Sequence, residues 1–114
     1  MITVYGIKNC NTVQKSLAFL SNTGVEFSFH DYKKNGLPSG KIKNWLKREG
    51  WEKLTNKQGL TWKKLDESVK QSINTDDDAY RLFSMNASVI RRPILESPKG
   101  ICIGFSEETW TALI

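Results

Sequence analysis

No apolar run in this 114-residue chain approaches the about 18 residues that a membrane-spanning helix needs, so no span is expected. The opening residues, Met1-Ile2-Thr3-Val4-Tyr5, lack a basic stretch followed by a long apolar one. No secretory signal is read there, and the expected compartment is cytoplasmic. Cysteine is scarce, with Cys10 and Cys102 alone. Two thiols do not staple a scaffold, and a chain of this length builds a core without staples. Histidine is scarcer still: with His30 alone, the thiols and imidazole fall short of a zinc ligand set, so no metal is expected. Internal repeats and low-complexity tracts are missing too. The expectation is one domain over residues 1–114.

What the chain does have is an excess of positive charge, +5 in all. Residues 41–73 hold nine Lys/Arg against four acids, and the remainder is balanced at eight of each. One middle segment therefore carries the whole imbalance. A solvated helical surface is the simplest origin; attraction of an anionic substrate or partner is the functional alternative. Nucleic-acid binding is unsupported, because no continuous basic run is interleaved with aromatics.

The apolar periodicity gives an element order. Ile2, Val4 and Tyr5 read as a short buried strand. Val13, Leu17, Phe19 and Leu20 fall at helical spacing from Thr12, with Gly24 as a stop signal. Val25, Phe27 and Phe29 alternate with polar residues as a second strand, parallel to the first because a helix joins them. A helical block follows, expected over about 38–86. In it Ser39 is the expected cap of a helix burying Ile42, Trp45 and Leu46. Residues 54–60 read as irregular. Trp62, Leu65, Val69 and Ile73 form a stripe with a split near Asp66. Thr75 is the expected cap of a helix whose first turn is acidic. Ile94-Leu95 and Ile101-Cys102-Ile103 read as a hairpin, and Ser106 caps a last helix that buries Trp110 and Leu113. The order β-α-β, helices, β-β-α predicts an α/β thioredoxin-like fold: a mixed four-stranded sheet with an inserted helical lobe.

The chemistry centres on Lys8-Asn9-Cys10-Asn11-Thr12. A cysteine at a strand-to-helix turn meets unpaired N–H groups and the positive end of the helix dipole, which favour thiolate over thiol. Lys8 is a candidate cation beside it. Asn9, Asn11 and Thr12 offer short polar side chains where a ligand would sit. The third residue after Cys10 is Val13, so there is no C-x-x-C and no local resolving thiol. Cys102, between Ile101 and Ile103, reads as a structural thiol on a buried face or at an edge. In Arg91-Arg92-Pro93, Pro93 is a candidate cis proline, and Arg92 suits bidentate binding of a carboxylate or oxyanion. His30 has no partner in the sequence that would make it a base. Trp45, Trp51, Trp62 and Trp110 read as core.

Five segments then occur in order: Tyr5-Gly6-Ile7-Lys8-Asn9-Cys10-Asn11-Thr12, Phe29-His30-Asp31-Tyr32, Gly59-Leu60-Thr61-Trp62-Lys63-Lys64-Leu65-Asp66, Val89-Ile90-Arg91-Arg92-Pro93-Ile94-Leu95 and Gly104-Phe105-Ser106-Glu107. Over nearly the whole chain they resemble the arsenate reductase/Spx family, most closely its YffB-type branch. The resemblance implies that Cys10 is the single nucleophile and that Arg92 and Pro93 are the family's arginine and cis proline. In the arsenate reductases the cysteine attacks arsenate, glutathione takes the product as a mixed disulfide, and glutaredoxin releases it, with three arginines assisting. Here one arginine is kept; the middle position maps onto Gln58, beside Lys57, and the late one onto Gly104. The resemblance therefore implies a glutathione-dependent thiol reductase, with glutathione as co-substrate and no bound cofactor. Arg92, with the backbone beside Pro93, would hold the tripeptide. The alternatives it carries are arsenate reduction coupled to glutathione and glutaredoxin, and an Spx-like regulator that binds RNA polymerase.

Overall fold

A computed structural model describes residues 1–114. The chain forms two compact units. The first comprises Met1–Gly36 and Arg92–Ile114; the second is the intervening Leu37–Arg91.

The first unit has a thioredoxin-like architecture. Its strands are β1 (Ile2–Gly6), β2 (Phe27–Asp31), β3 (Ile94–Ser97) and β4 (Gly100–Ile103), in the sheet order β2-β1-β3-β4. β1 runs parallel to β2 and antiparallel to β3, and β3–β4 is a hairpin. Helix α1 (Asn11–Thr23) is the crossover between the parallel strands, as their geometry requires. It ends at Gly24, whose φ of 80° is left-handed and open to glycine. β2 starts later than the alternation predicts. Its first residue, Phe27, pairs with Ile2, the first residue of β1, so Val25 has no partner to extend the ladder. Val4, Leu20, Leu95 and the Trp110 ring of α8 (Glu107–Leu113) form one fully buried cluster of this unit. Burial of each such side chain contributes about 1.5–3 kcal/mol, an upper bound set by an extended unfolded chain. The Ser106 hydroxyl caps α8 by accepting from Thr109 N–H at 3.3 Å.

The second unit is helical. It carries α3 (Ser39–Glu49), α4 (Trp51–Leu54), α5 (Leu60–Lys63), α6 (Glu67–Gln71) and α7 (Asp76–Met85), then a 3₁₀ turn at Ala87–Val89. The expected inner face of α3, Ile42, Trp45 and Leu46, is buried. The expected cap is displaced by one residue. Ile42 N–H donates to the Pro38 carbonyl at 2.9 Å, so Pro38 flanks the helix and Ser39 lies inside its first turn. The stretch read as irregular, residues 54–60, runs from the last residue of α4 to the first of α5 and carries an isolated bridge between Thr55 and Ile90. The stripe over 62–73 divides into α5 and α6, with Asp66 flanking α6; only Ile73 of its four apolar residues is buried. Thr75 makes a full capping box with Asp78. Trp45 is core, but Trp51 and Trp62 are half-exposed, and the Lys57 ammonium lies over both rings, 4.9 and 5.6 Å from their centroids. Those indoles exchange full burial for contact with a cation.

Candidate active site

The sheet topology gathers the candidate residues of the first unit at one end. Cys10 follows the C-terminal end of β1. Arg92 leads into β3, whose first residue, Ile94, pairs with Tyr5 near that same end of β1. Gly6 lies at this meeting point: a Cβ there would crowd Val13 Cγ2 at 3.0 Å, while Arg92 Cβ would stand at ordinary contact distance, 3.7 Å. Parallel strands direct ligand sites to their carboxyl ends, and this placement conforms to that rule.

Cys10 is the residue flanking α1. Its backbone is extended, with φ −124° and ψ 125°, and its carbonyl accepts from Gln14 N–H at 2.9 Å. The helix therefore begins at Asn11 and turns its first free N–H groups toward the thiol. Partial burial pushes the thiol up. Against that act a hydrogen bond from Val13 N–H, the charge of the Arg92 guanidinium, a hydrogen bond from the same guanidinium, and one from Thr12 N–H. Together they outweigh the burial and hold the Cys10 thiol below its ordinary range. The cation beside the sulfur is thus Arg92, whereas Lys8 is exposed. From sequence Arg92 was assigned to a ligand; its direct bond to Cys10 crosses more than 80 positions and left no local signal.

Arg92 is half-buried, and its bond to the buried Pro93 is cis. The Pro93 carbonyl accepts from Gly104 N–H at 2.8 Å, which ties this turn to the segment after β4. Asn9, Asn11 and Thr12 are all exposed beside the thiol; of these, Thr12 touches it, through its backbone. Val13 is fully buried.

Cys102 lies on the edge strand β4 opposite Leu95, packs against the Val4–Leu20–Leu95–Trp110 core, and donates from Sγ to the Gly104 carbonyl at 3.4 Å. Neither cysteine is in a disulfide. His30 Nε2–H donates to the Gly36 carbonyl at 2.7 Å, and its ring packs between Tyr5 and Tyr32, 5.4 and 6.2 Å from their centroids. That is a structural role.

One residue escaped sequence reading. Tyr32 opens α2 (Tyr32–Asn35), directly after β2, and is 3% exposed. Burial, the nearby Tyr5 and, in opposition, the Arg92 charge act on its phenol, and the net effect is strongly upward. Its hydroxyl is buried without a hydrogen bond in the protein. No helix of the chain is long and apolar enough to cross a membrane.

Known proteins resemble the chain over nearly its whole length. The model of the ArsC family matches residues 5–113. A protein of Haemophilus influenzae is 40% identical over 98% of this chain and 97% of its own length. The solved structure of a YffB protein superposes with a TM-score of 0.92 at 33% identity, covering 99% of this chain and 98% of that one. The global transcriptional regulator Spx of Streptococcus pyogenes is 28% identical over 100% of this chain and 85% of its own.

Proposed function

The chain belongs to the ArsC family, and from that premise we propose that it is a glutathione-dependent thiol reductase working through Cys10 alone. The observation that carries the reading is the lowered thiol of Cys10, held by two backbone N–H groups and the Arg92 guanidinium. In the first step the Cys10 thiolate attacks one sulfur of a substrate disulfide. The S–S bond breaks, a mixed disulfide forms on Cys10, and the departing sulfur leaves as a thiolate that takes a proton from water. Val13 in place of a second cysteine leaves no neighbouring thiol to resolve it. An external glutathione thiolate then attacks the mixed disulfide, releasing the Cys10 thiolate and carrying the second sulfur away as a disulfide. Arg92 and the backbone beside Pro93 would hold the tripeptide, with Asn9, Asn11 and Thr12 at its edge. Glutaredoxin is the natural reductant of the resulting glutathione adducts, and the cytoplasm the natural compartment. Intact mass after incubation with oxidised glutathione tests this: one glutathione adds to the wild type and none to Cys10→Ser. Equal addition to both would sink the reading.

Family membership also supports a second reading, arsenate reduction, and the structure offers an observation that weighs against it. The position that maps onto the third arginine of the arsenate reductases is Gly104, whose φ of 93° lies where L side chains are strained. Arsenate turnover coupled to glutathione and glutaredoxin is therefore expected to match a Cys10→Ser control; a clear rate above it would restore that activity. The likeness to Spx supports a third, an RNA polymerase-binding regulator, which failure to co-purify with polymerase would dismiss.

A further inference from the structure

We infer that the buried Tyr32 hydroxyl donates a hydrogen bond to an anionic oxygen of the ligand beside Cys10, acting with Arg92 as a specificity-determining pair. The inference rests on Cys10 as the reacting group, as proposed above.

The first ground is the hydroxyl itself. Two other buried hydroxyls are satisfied within the protein: Ser16 Oγ donates to the Val13 carbonyl at 2.6 Å and Thr55 Oγ1 to the Trp51 carbonyl at 2.7 Å. The buried Trp110 Nε1–H donates to the Gly104 carbonyl at 3.0 Å. Tyr32, as deeply buried as Thr55, has no such partner for its hydroxyl. Buried polar groups in native proteins are paired with protein, water or ligand, so a hydroxyl that the protein leaves unpaired is a donor open to one of the other two.

The second ground is where it lies. Asp31, the last residue of β2, pairs with Gly6, the last residue of β1. Tyr32 therefore leaves the sheet at the end where the chain runs on from Gly6 to Cys10 and where Arg92 approaches Gly6. The Arg92 guanidinium is near enough for its charge to act on the phenol. His30, whose ring packs beside Tyr32, already has Nε2–H committed to Gly36.

The third ground is chemical. A phenol buried this deeply stays protonated at neutral pH and acts as a donor. Guanidinium offers donors only. Two donors at one site select a group rich in acceptors, and a carboxylate is the form that a thiol-containing peptide presents. Arg92 supplies charge and orientation; Tyr32 supplies a neutral, rigid donor that a short cationic side chain would not replace.

Alkylation of Cys10 tests this without relying on glutathione. Iodoacetate and iodoacetamide react alike, forming an S–C bond and expelling iodide, but only iodoacetate carries a carboxylate. Rates at Cys10 are read by peptide mass for the wild type and Tyr32→Phe, which loses one oxygen and keeps the ring. The expected result is a fall of roughly tenfold with iodoacetate, the scale of one hydrogen bond to a charged group. Iodoacetamide should change by less than about twofold, with no loss of thermal stability. An unchanged ratio of the two rates overturns the inference; if it comes with a lower melting temperature, the hydroxyl served an internal water instead. The oxidised-glutathione assay separates the two proposals. A falling ratio with no glutathione adduct keeps Tyr32 and removes the reductase reading; an adduct with an unchanged ratio does the reverse.

Discussion

At the scale of single residues, Arg92 adds to what the Val13 N–H already does for the Cys10 thiol. Helix N–H groups are common to any cysteine in this position, but the guanidinium adds both charge and a hydrogen bond. Arg92→Met should move the midpoint of Cys10 alkylation by iodoacetamide upward in pH. Rates should fall several-fold at neutral pH and converge with the wild type in alkali; identical pH profiles would remove Arg92 from the site. The sign for stability follows from the same lowering. The fold favours the thiolate, so this contribution is fully present above the ordinary thiol range and is lost as pH falls through the depressed value. Cys102 is a contrast. Its sulfur is engaged with the Gly104 carbonyl and the core. Cys102→Ala should leave glutathione addition at Cys10 unchanged in extent and rate, as intact mass will show.

At the scale of elements, the helix starts carry the local energetics. Thr75 satisfies Asp78 N–H at 3.1 Å, while the Asp78 carboxylate accepts from Asn74 and Thr75 N–H at 3.1 and 3.2 Å. The bond from Asn74 N–H, then that from the Thr75 hydroxyl, hold the Asp78 carboxyl below its usual range. Thr75→Ala should cost about 1 kcal/mol, measurable by urea denaturation. Asp78→Asn should flatten the acid limb of the stability curve. That limb exists because the carboxylate's contribution is present above the ordinary carboxyl range and lost as pH falls through the lowered value. The caps at Thr75 and Ser106 were legible because a cap is chosen by its own residue and the next three. The cap at Ser39 was misread by one position because Pro38 carries the flanking conformation without a side-chain acceptor, a choice made by backbone geometry.

At the scale of the whole molecule, the sheet order does the positioning. Leu95 sits on β3 between β1 and β4 and contributes to the buried core with Val4, Leu20 and Trp110. Leu95→Ala should destabilise by about 2–5 kcal/mol, read as a lower denaturation midpoint. Its loss loosens the strand that Arg92 and Pro93 lead into. The four strands and the longer helices, with their order, are legible in the sequence because apolar period, caps and turn residues act within a few positions of one another; the one-turn helices α2 and α4 are too short to show a period. The sequence by itself also determined that Cys10 is a monothiol, since Val13 is a local fact. Only the tertiary structure decided which cation lies beside the sulfur, that Trp51 and Trp62 hold Lys57 instead of filling the core, and that Tyr32 is buried with its hydroxyl unpaired. Arg92 and Cys10 are distant in the chain, and nothing in local spacing encodes their contact; it arises when the strands bring β1, β2 and β3 to a common end, where Tyr32 also leaves the sheet. Lys57 is only a few positions from Trp51 and Trp62, but apolar spacing does not say whether an indole is covered by the core or by a cation.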